Sequence, residues 1–327
     1  MERVRTISAG IDVPVTVAPG SVALLHPEPA IQPVWRERIL SSLRNGLPTL
    51  PFYLFELNRL LSEPNSNLGR VASVVRMDPS LAAQVLQACN TTLESGAKPI
   101  ARIDVAVKTL GRQRLAMLVM TRTLVQSNDG CISEGELKTF WQHSRLAAQI
   151  AERLAAWTGY PDPDRAYMAA LLHDIGVLPF LSLAACDHSA EIKPRLLEGA
   201  LAEQRNAFGI DHCELGRWIA SSWNLSPELA EAIEFHHQPH RATVDPALTG
   251  IVAAADQICC SRGVALGSGL PQFHETVSGT LREIIEKCRP DLPAENIAET
   301  SRLLKKELFQ VIQGLDCGTA ELGQEKA

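Results

Sequence analysis

Apolar residues recur every three or four positions along most of this chain, the period of an amphipathic helix rather than a strand. Pro51 opens the run Phe52-Tyr53-Leu54-Phe55-Glu56-Leu57-Asn58-Arg59-Leu60-Leu61, and Ser62-Glu63-Pro64 closes it. Leu68 to Val75 repeats the pattern. Asp78-Pro79 supplies an N-cap and then a proline at the first helical position, where its missing N–H costs nothing; Leu81, Val85, Leu86 and Cys89 then share one face. Ile103 to Val125 predicts two helices broken at Gly111. A second helical region runs from about Ser133 to Gly263. In it Asp162-Pro163 leads through Tyr167 and Leu171 to His173, with Gly176 suited to a left-handed C-terminal position, and Ser226-Pro227 starts a helix whose inward face carries Leu229, Ile233 and the His236-His237 pair. Glu275–Cys288 and Ile297–Ile312 are again amphipathic, joined by a proline-rich turn, and Gly314 onward is polar and expected to fray. Residues 1–40 differ: short runs such as Val13-Pro14-Val15-Thr16-Val17, separated by Pro and Gly, predict an irregular arm or a small strand pair confined to edge positions. The expectation is an all-α chain with such an arm in front.

Composition removes several alternatives. With 46% hydrophobic and 21% charged residues over 327 positions, neither disorder nor a coiled coil is expected. A net charge of −6 argues against nucleic acid as a partner, since phosphate binding leans on clustered Lys and Arg. No apolar stretch is expected to span a bilayer and the N-terminus carries no h-region, so no membrane partner is expected and the cytoplasm is the expected compartment. The eight cysteines, at 89, 131, 186, 213, 259, 260, 288 and 317, form no CxxC pair and predict reduced, mostly buried thiols. Histidine is more informative, because seven of the nine lie between His143 and His240.

Within that stretch and just beyond it, His143, the pair His173-Asp174, His212, the pair His236-His237 and Asp256 all sit in or beside predicted helices. Imidazole and carboxylate donors suit iron, manganese, zinc or magnesium. A divalent ion that activates water and polarises a phosphoryl oxygen needs several fixed donors of this kind with positions left open, and a shared carboxylate can join two ions. Neighbours on a helix diverge by about 100°, so His173 and Asp174 reach one point only if the helix ends there. The competing account is structural: a His-Asp hydrogen bond that holds helices together without an ion.

The order His143, His173-Asp174, Asp256 resembles the H…HD…D pattern of the HD phosphohydrolase superfamily, and His212 with His236-His237 resembles the extra ligands of its dinuclear members. The surrounding text resembles the HDOD (HD-related output domain) family in particular: Leu47-Pro48-Thr49-Leu50-Pro51, Asp78-Pro79-Ser80-Leu81 with Cys89-Asn90, Ala106 to Gly111, Trp141-Gln142-His143-Ser144, Leu171 to Gly176, Gly209 to Gly216 and Trp223 to Pro227. The likeness covers about 47–260. It implies a two-lobed helical bundle over 41–265, divided into an N-terminal lobe (41–130) and an HD-like lobe (131–265), with 266–327 as C-terminal helices and tail. It also implies an output or scaffold role in bacterial signalling, a signalling protein as partner, and one or two divalent ions held by His143, His173, Asp174, His212, His236, His237 and Asp256. The alternative is a metal-dependent phosphohydrolase acting on a phosphodiester or nucleotide. Relatives that hydrolyse cyclic di-GMP carry a lysine three residues after the HD aspartate, where this chain has Val177, and a GYP element after their HH pair, where this chain has Gln238-Pro239-His240; that activity is disfavoured. Gly159-Tyr160-Pro161 precedes the HD pair and is a turn.

Other polar candidates have structural expectations. Trp141 and Trp223 should be core anchors. Lys108, Arg112 and Arg114 should be a solvated helix end rather than a phosphate site. Glu203 should face solvent rather than orient a ligand. His26, His188, His240 and His274 fall outside the set. The C-terminal helices offer a surface for homodimerisation.

Overall fold

In the computed structural model of the chain, residues 31–261 are described apart from 46, 64–65, 95, 127–133 and 187–200, together with 282–288 and positions 292, 293, 296 and 299. Among the described residues there is no strand. The helices are α1 (Pro33–Asn45), α2 (Pro51–Ser62), α3 (Leu68–Val75), α4 (Pro79–Asn90), α5 (Ile103–Gln126), α6 (Glu134–Thr158), α7 (Pro163–Leu172), α8 (Val177–Cys186), α9 (Leu201–Phe208), α10 (His212–Ser222), α11 (Pro227–Phe235) and α12 (Pro246–Ser261), with a 3-10 turn at Pro239–Arg241.

The expected caps are in place. Asp78 Oδ1 accepts from Leu81 N at 2.9 Å, Asp162 Oδ1 from Arg165 N at 3.1 Å, and Ser226 Oγ from Leu229 N at 3.4 Å, each followed by proline at N1. Asp211 and Glu214 close a reciprocal capping box at the start of α10. The break expected at Gly111 is real: α5 is two segments meeting there at φ 72°, a conformation favouring glycine.

α5 packs across α2, α3 and α4. In the second group α7 meets α6, α11 and α12, and α4 from the first group, while α10 packs on α11 and α8. One continuous apolar core runs through both groups, from Leu57 and Leu86 to Leu154, Leu171 and Ile251. Polar ties cross between them as well. The Arg76 guanidinium pairs with Asp164 at 2.6 Å and Glu152 at 3.0 Å, Tyr167 donates to Arg76 O at 2.9 Å, and Asn90 Nδ2 donates to Asn224 O at 3.0 Å.

Four expectations change. Residues 33–40, assigned by pattern to the N-terminal arm, are the first turns of α1, which packs on α8. Pro163–Leu183 does have the length and apolar character of a membrane span, but it folds as α7, a turn and the start of α8, and 94% of an 18-residue apolar window within it is buried in the protein. Gly176 is not left-handed. Its purpose is close approach, for a Cβ there would lie 2.0 Å from the backbone oxygen of His212 and 2.7 Å from Gly216 N. Arg112 is not a solvated helix end, since its guanidinium donates to the carbonyls of Leu60, Leu61 and Glu63 and so caps the C-terminus of α2. Lys108 and Arg114 are exposed. The arm expected over 1–30, the helix over 297–312 apart from 299, residues 275–281, and His26, His188 and His274 lie outside the described residues, while 282–288 are helical as expected.

Candidate metal centre

Five helices bring the histidines and aspartates to one place. His143 projects from the middle of α6, and Asp256 from the last turns of α12. α7 ends at Leu172, so His173 and Asp174 leave the helix in the turn 173–176 and both face the same point, as their adjacency requires. His212 is the first residue of α10, and His236-His237 follow the last residue of α11. The close contact at Gly176 presses the turn carrying Asp174 against the start of α10.

The donor atoms fall into two groups joined by Asp174. In the first, His143 Nε2 lies 3.2 Å from His173 Nε2, 3.5 Å from Asp174 Oδ2 and 3.3 Å from Asp256 Oδ1. His173 Nε2 is 3.2 Å from Asp174 Oδ2 and 3.7 Å from Asp256 Oδ1. In the second, the other carboxylate oxygen, Asp174 Oδ1, is 3.4 Å from His212 Nε2 and 3.5 Å from His236 Nε2. His237 Nδ1 is 3.8 Å from Asp256 Oδ2, and its ring lies 4.1 Å from that of His236. A tetrahedral ion about 2.0–2.1 Å from each nitrogen or oxygen sets its donors about 3.4 Å apart. The separations bracket that value, so the donor set fits a divalent ion in either group.

The far side of each ring is held as a metal ligand requires. His173 Nδ1 faces Ala170 O at 2.7 Å, His236 Nδ1 faces Ile233 O at 2.9 Å, and His212 Nδ1 faces Gln204 Oε1 at 2.9 Å. Donation to those acceptors fixes the tautomer and turns the Nε2 lone pair of the neutral ring into the site. Gln204 also accepts from His212 N at 2.9 Å, making it the orienting residue of α9. Glu203, the neighbour considered from sequence, faces solvent as expected. The sequence cue that finds Gln204 is its spacing, eight residues before His212 and therefore one turn and a loop away.

Electrostatics follow from burial and pairing. Burial acts to lower the His173 and His143 imidazoles, but the Asp174 and Asp256 carboxylates outweigh it and raise both, His173 well above the usual histidine range. Burial acts to raise the two carboxyls, and the imidazoles pull them well below the ordinary range. In the second group burial prevails, lowering His212 to about 4 against the attraction of Asp174. Although the outer edge of the His237 ring reaches solvent, with 39% of the side chain exposed, burial of the remainder and its crowding by His236 lower it to about 3. Those two rings are neutral near pH 7, the state that binds metal. A cavity of about 60 Å³ adjoins this group, bordered by Cys213, His237, Arg205, Glu234, Gln238 and Arg241. Cys213 was expected to be a reduced, buried thiol. It is buried, but it belongs to the second group.

All seven residues named from sequence therefore converge. His240 is exposed on the 3-10 turn, and Trp141 and Trp223 are buried as core anchors. Comparison with known proteins agrees in family and fold. The sequence profile of the HDOD domain matches residues 47–239, more than half of the chain. This chain belongs to the HDOD domain family. An uncharacterized protein of Treponema pallidum is 27% identical over 229 residues, 65% of this chain, and the match spans 42% of that protein's length. Among solved structures, a virulence factor from Campylobacter jejuni superposes on this HDOD protein with a TM-score of 0.60 at 22% identity, covering 82% of this chain and 99% of the other. The MmoQ response regulator of Methylococcus capsulatus does so with a TM-score of 0.57 at 19% identity, covering 79% and 99%. At such identities these likenesses establish the shared helical fold.

Proposed function

We propose that this HDOD protein is a cytoplasmic signalling module whose HD-like site is loaded with one or two divalent ions, and whose output is read by a partner protein. The observation that carries the reading is the bridging position of Asp174, with one oxygen facing His143 and His173 and the other facing His212 and His236. Bound ions would tie together the ends of α7 and α11, the start of α10, the middle of α6 and the last turns of α12, so that loading alters the rigidity of the whole lobe. α7 and α6 are in turn clamped to the N-terminal helices by Arg76. The signalling part is supported by family membership and by the likeness to a structure described as a response regulator. The test is elemental analysis of the purified chain, read beside hydrogen exchange before and after chelation. One or two transition-metal ions per chain, with protection of α7 and α10 lost on stripping, is the expected result. A chain without metal, indifferent to Asp174→Ala, would refute it.

One observation favours a second reading, a metal-dependent phosphohydrolase acting on a phosphodiester or nucleotide. The cavity beside His237 carries the Arg241 guanidinium, held 4.7 Å over the Phe235 ring and bonded to Gln238 Oε1 at 3.0 Å, a group placed to orient a phosphate. Divalent ions supply a site with activated water and charge to polarise a phosphoryl oxygen. Val177 keeps cyclic di-GMP disfavoured as the substrate. Metal-dependent turnover of a generic phosphodiester, abolished in His173→Ala, would put this reading in place of the first.

A further inference from the structure

The second donor group contains an atom that histidines and carboxylates do not account for. Cys213 follows His212 in the first turn of α10, and its Sγ lies 3.5 Å from His212 Nε2 and 3.9 Å from His236 Nε2. The same two nitrogens are the pair that faces Asp174 Oδ1. One donor atom from each of His212, Cys213, His236 and His237 lies within 4.8 Å of the others. With the neutral His212 and His236 rings holding their protons on Nδ1 toward Gln204 Oε1 and Ile233 O, both Nε2 atoms are acceptors, and a thiol with one proton can donate to only one of them. Hydrogen bonding therefore explains one contact and leaves the other. An ion explains both: with a metal–sulfur bond of about 2.3 Å and metal–nitrogen bonds of about 2.0–2.1 Å, tetrahedral geometry puts sulfur about 3.6 Å from each nitrogen. The observed separations fall on either side of that distance.

We propose that Cys213 is a thiolate ligand of the second ion, so that this position is a mixed site of imidazoles, one sulfur and the Asp174 Oδ1 oxygen. The inference rests on the metal-loaded reading above and adds what the second position selects. Sulfur favours a borderline-soft ion, zinc or ferrous iron, over magnesium. The first group, His143, His173, Asp174 and Asp256, offers only nitrogen and oxygen. The two positions thus differ in kind. Ion binding exchanges the S–H bond for a metal–sulfur bond and releases one proton to solvent.

The test uses the full chain, stripped with a chelator and reloaded with cobalt(II) as a spectroscopic probe or with zinc. Wild type is expected to show a near-ultraviolet sulfur-to-cobalt charge-transfer band. Cys213→Ser loses the band, while Cys260→Ser, which alters a thiol 3.4 Å from Asp256 Oδ1, keeps it. Loss of an orienting partner alone weakens metal binding about 10–100-fold, so loss of this ligand is expected to weaken zinc at least that much at the second position. Should Cys213→Ser fail to fold, X-ray absorption on zinc-loaded wild type decides the matter, with one sulfur at about 2.3 Å expected. Ions bound with only nitrogen and oxygen neighbours, or a band that survives in Cys213→Ser, overturn the sulfur ligand and leave the metal-loaded module standing. A wild-type chain that takes up neither cobalt nor zinc overturns both.

Discussion

Gly176→Ala tests whether the two halves of the site are held together by the contact between the HD turn and the start of α10. An added Cβ would sit 2.0 Å from His212 O, 2.7 Å from Gly216 N and 2.9 Å from His212 C, all backbone atoms that no rotamer change can move aside. Ordinary carbon–oxygen contact lies at about 3.3 Å or more, so the turn and the helix must separate by roughly an ångström. Overpacking of this sort costs about 1–3 kcal/mol, and a rigid backbone neighbour puts this case at the upper end. For a domain of this size each kcal/mol shifts the melting temperature by roughly 2–4 °C. A fall of about 5–10 °C is expected. The effect on metal is sharper, because ligand atoms tolerate displacements of only about 0.2 Å. Asp174 Oδ1 and His212 Nε2, now 3.4 Å apart, straddle the contact, whereas the four donors of the first group come from α6, α12 and the HD turn itself. Differential scanning fluorimetry with zinc titration by chelator competition is the assay, and Gly135→Ala is the control, an exposed helical position where a Cβ meets nothing within 4 Å. Gly176→Ala should lose the second ion and keep the first. A variant with wild-type melting temperature and two ions at wild-type affinity would show that the contact positions nothing.

Three further outcomes are expected. Gln204→Leu removes the one oxygen that accepts from both His212 N and Nδ1 and should weaken the second ion about 10–100-fold in chelator competition while leaving the fold intact. Glu231→Gln should cost about 1–3 kcal/mol in urea unfolding, because the buried carboxylate now accepts from the backbone N–H groups of Thr243, Val244 and Asp245, and an amide leaves part of that set unmatched. Asp78→Asn keeps the cap of α4 but removes a carboxyl that burial raises to about 7 against the pull of Leu81 N. The folded chain then holds a proton that the unfolded chain gives up near pH 4, so wild-type stability falls as pH rises from about 4 to 7. The variant should lack that slope and be the more stable at pH 8, and equal slopes in the two proteins would refute the assignment.

Much of the site was legible because its geometry is local. Asp and Ser followed by proline fix where α4, α7 and α11 begin, and adjacency of His173 and Asp174 forces the helix to end between Leu172 and Gly176. Convergence of all seven residues was legible only through the family's text, since nothing in a single sequence states that positions 143 and 256 meet. What escaped depends on contacts across the fold. Gly176 looks like a helix terminator from sequence, and only the arrival of α10 makes it a close-approach glycine. Arg112 finds the carbonyls of α2, about fifty residues earlier, and Cys213 shares its chemistry with rings at 212 and 236. Gln204 was missed in favour of Glu203 because charge marks an orienting group less well than the face of a short helix does.

The alternative in which His173-Asp174 is merely a structural hydrogen bond can be weighed on the protons alone. If the Nδ1 protons of His173, His212 and His236 are committed to Ala170 O, Gln204 Oε1 and Ile233 O, three Nε2 lone pairs face two buried carboxylates. Lone pairs and anions at 3.2–3.7 Å repel one another unless a cation stands between them. Protons are one such cation, and the raised imidazoles of His143 and His173 are that state. They serve the first group only. In the second, His212 and His237 resist protonation near neutral pH, so the His212 Nε2 lone pair faces Asp174 Oδ1 at 3.4 Å, with no proton on that nitrogen to bridge the two and the Cys213 sulfur 3.5 Å away. A purely structural pair has no use for that second group, whereas a divalent ion has a use for every atom in it.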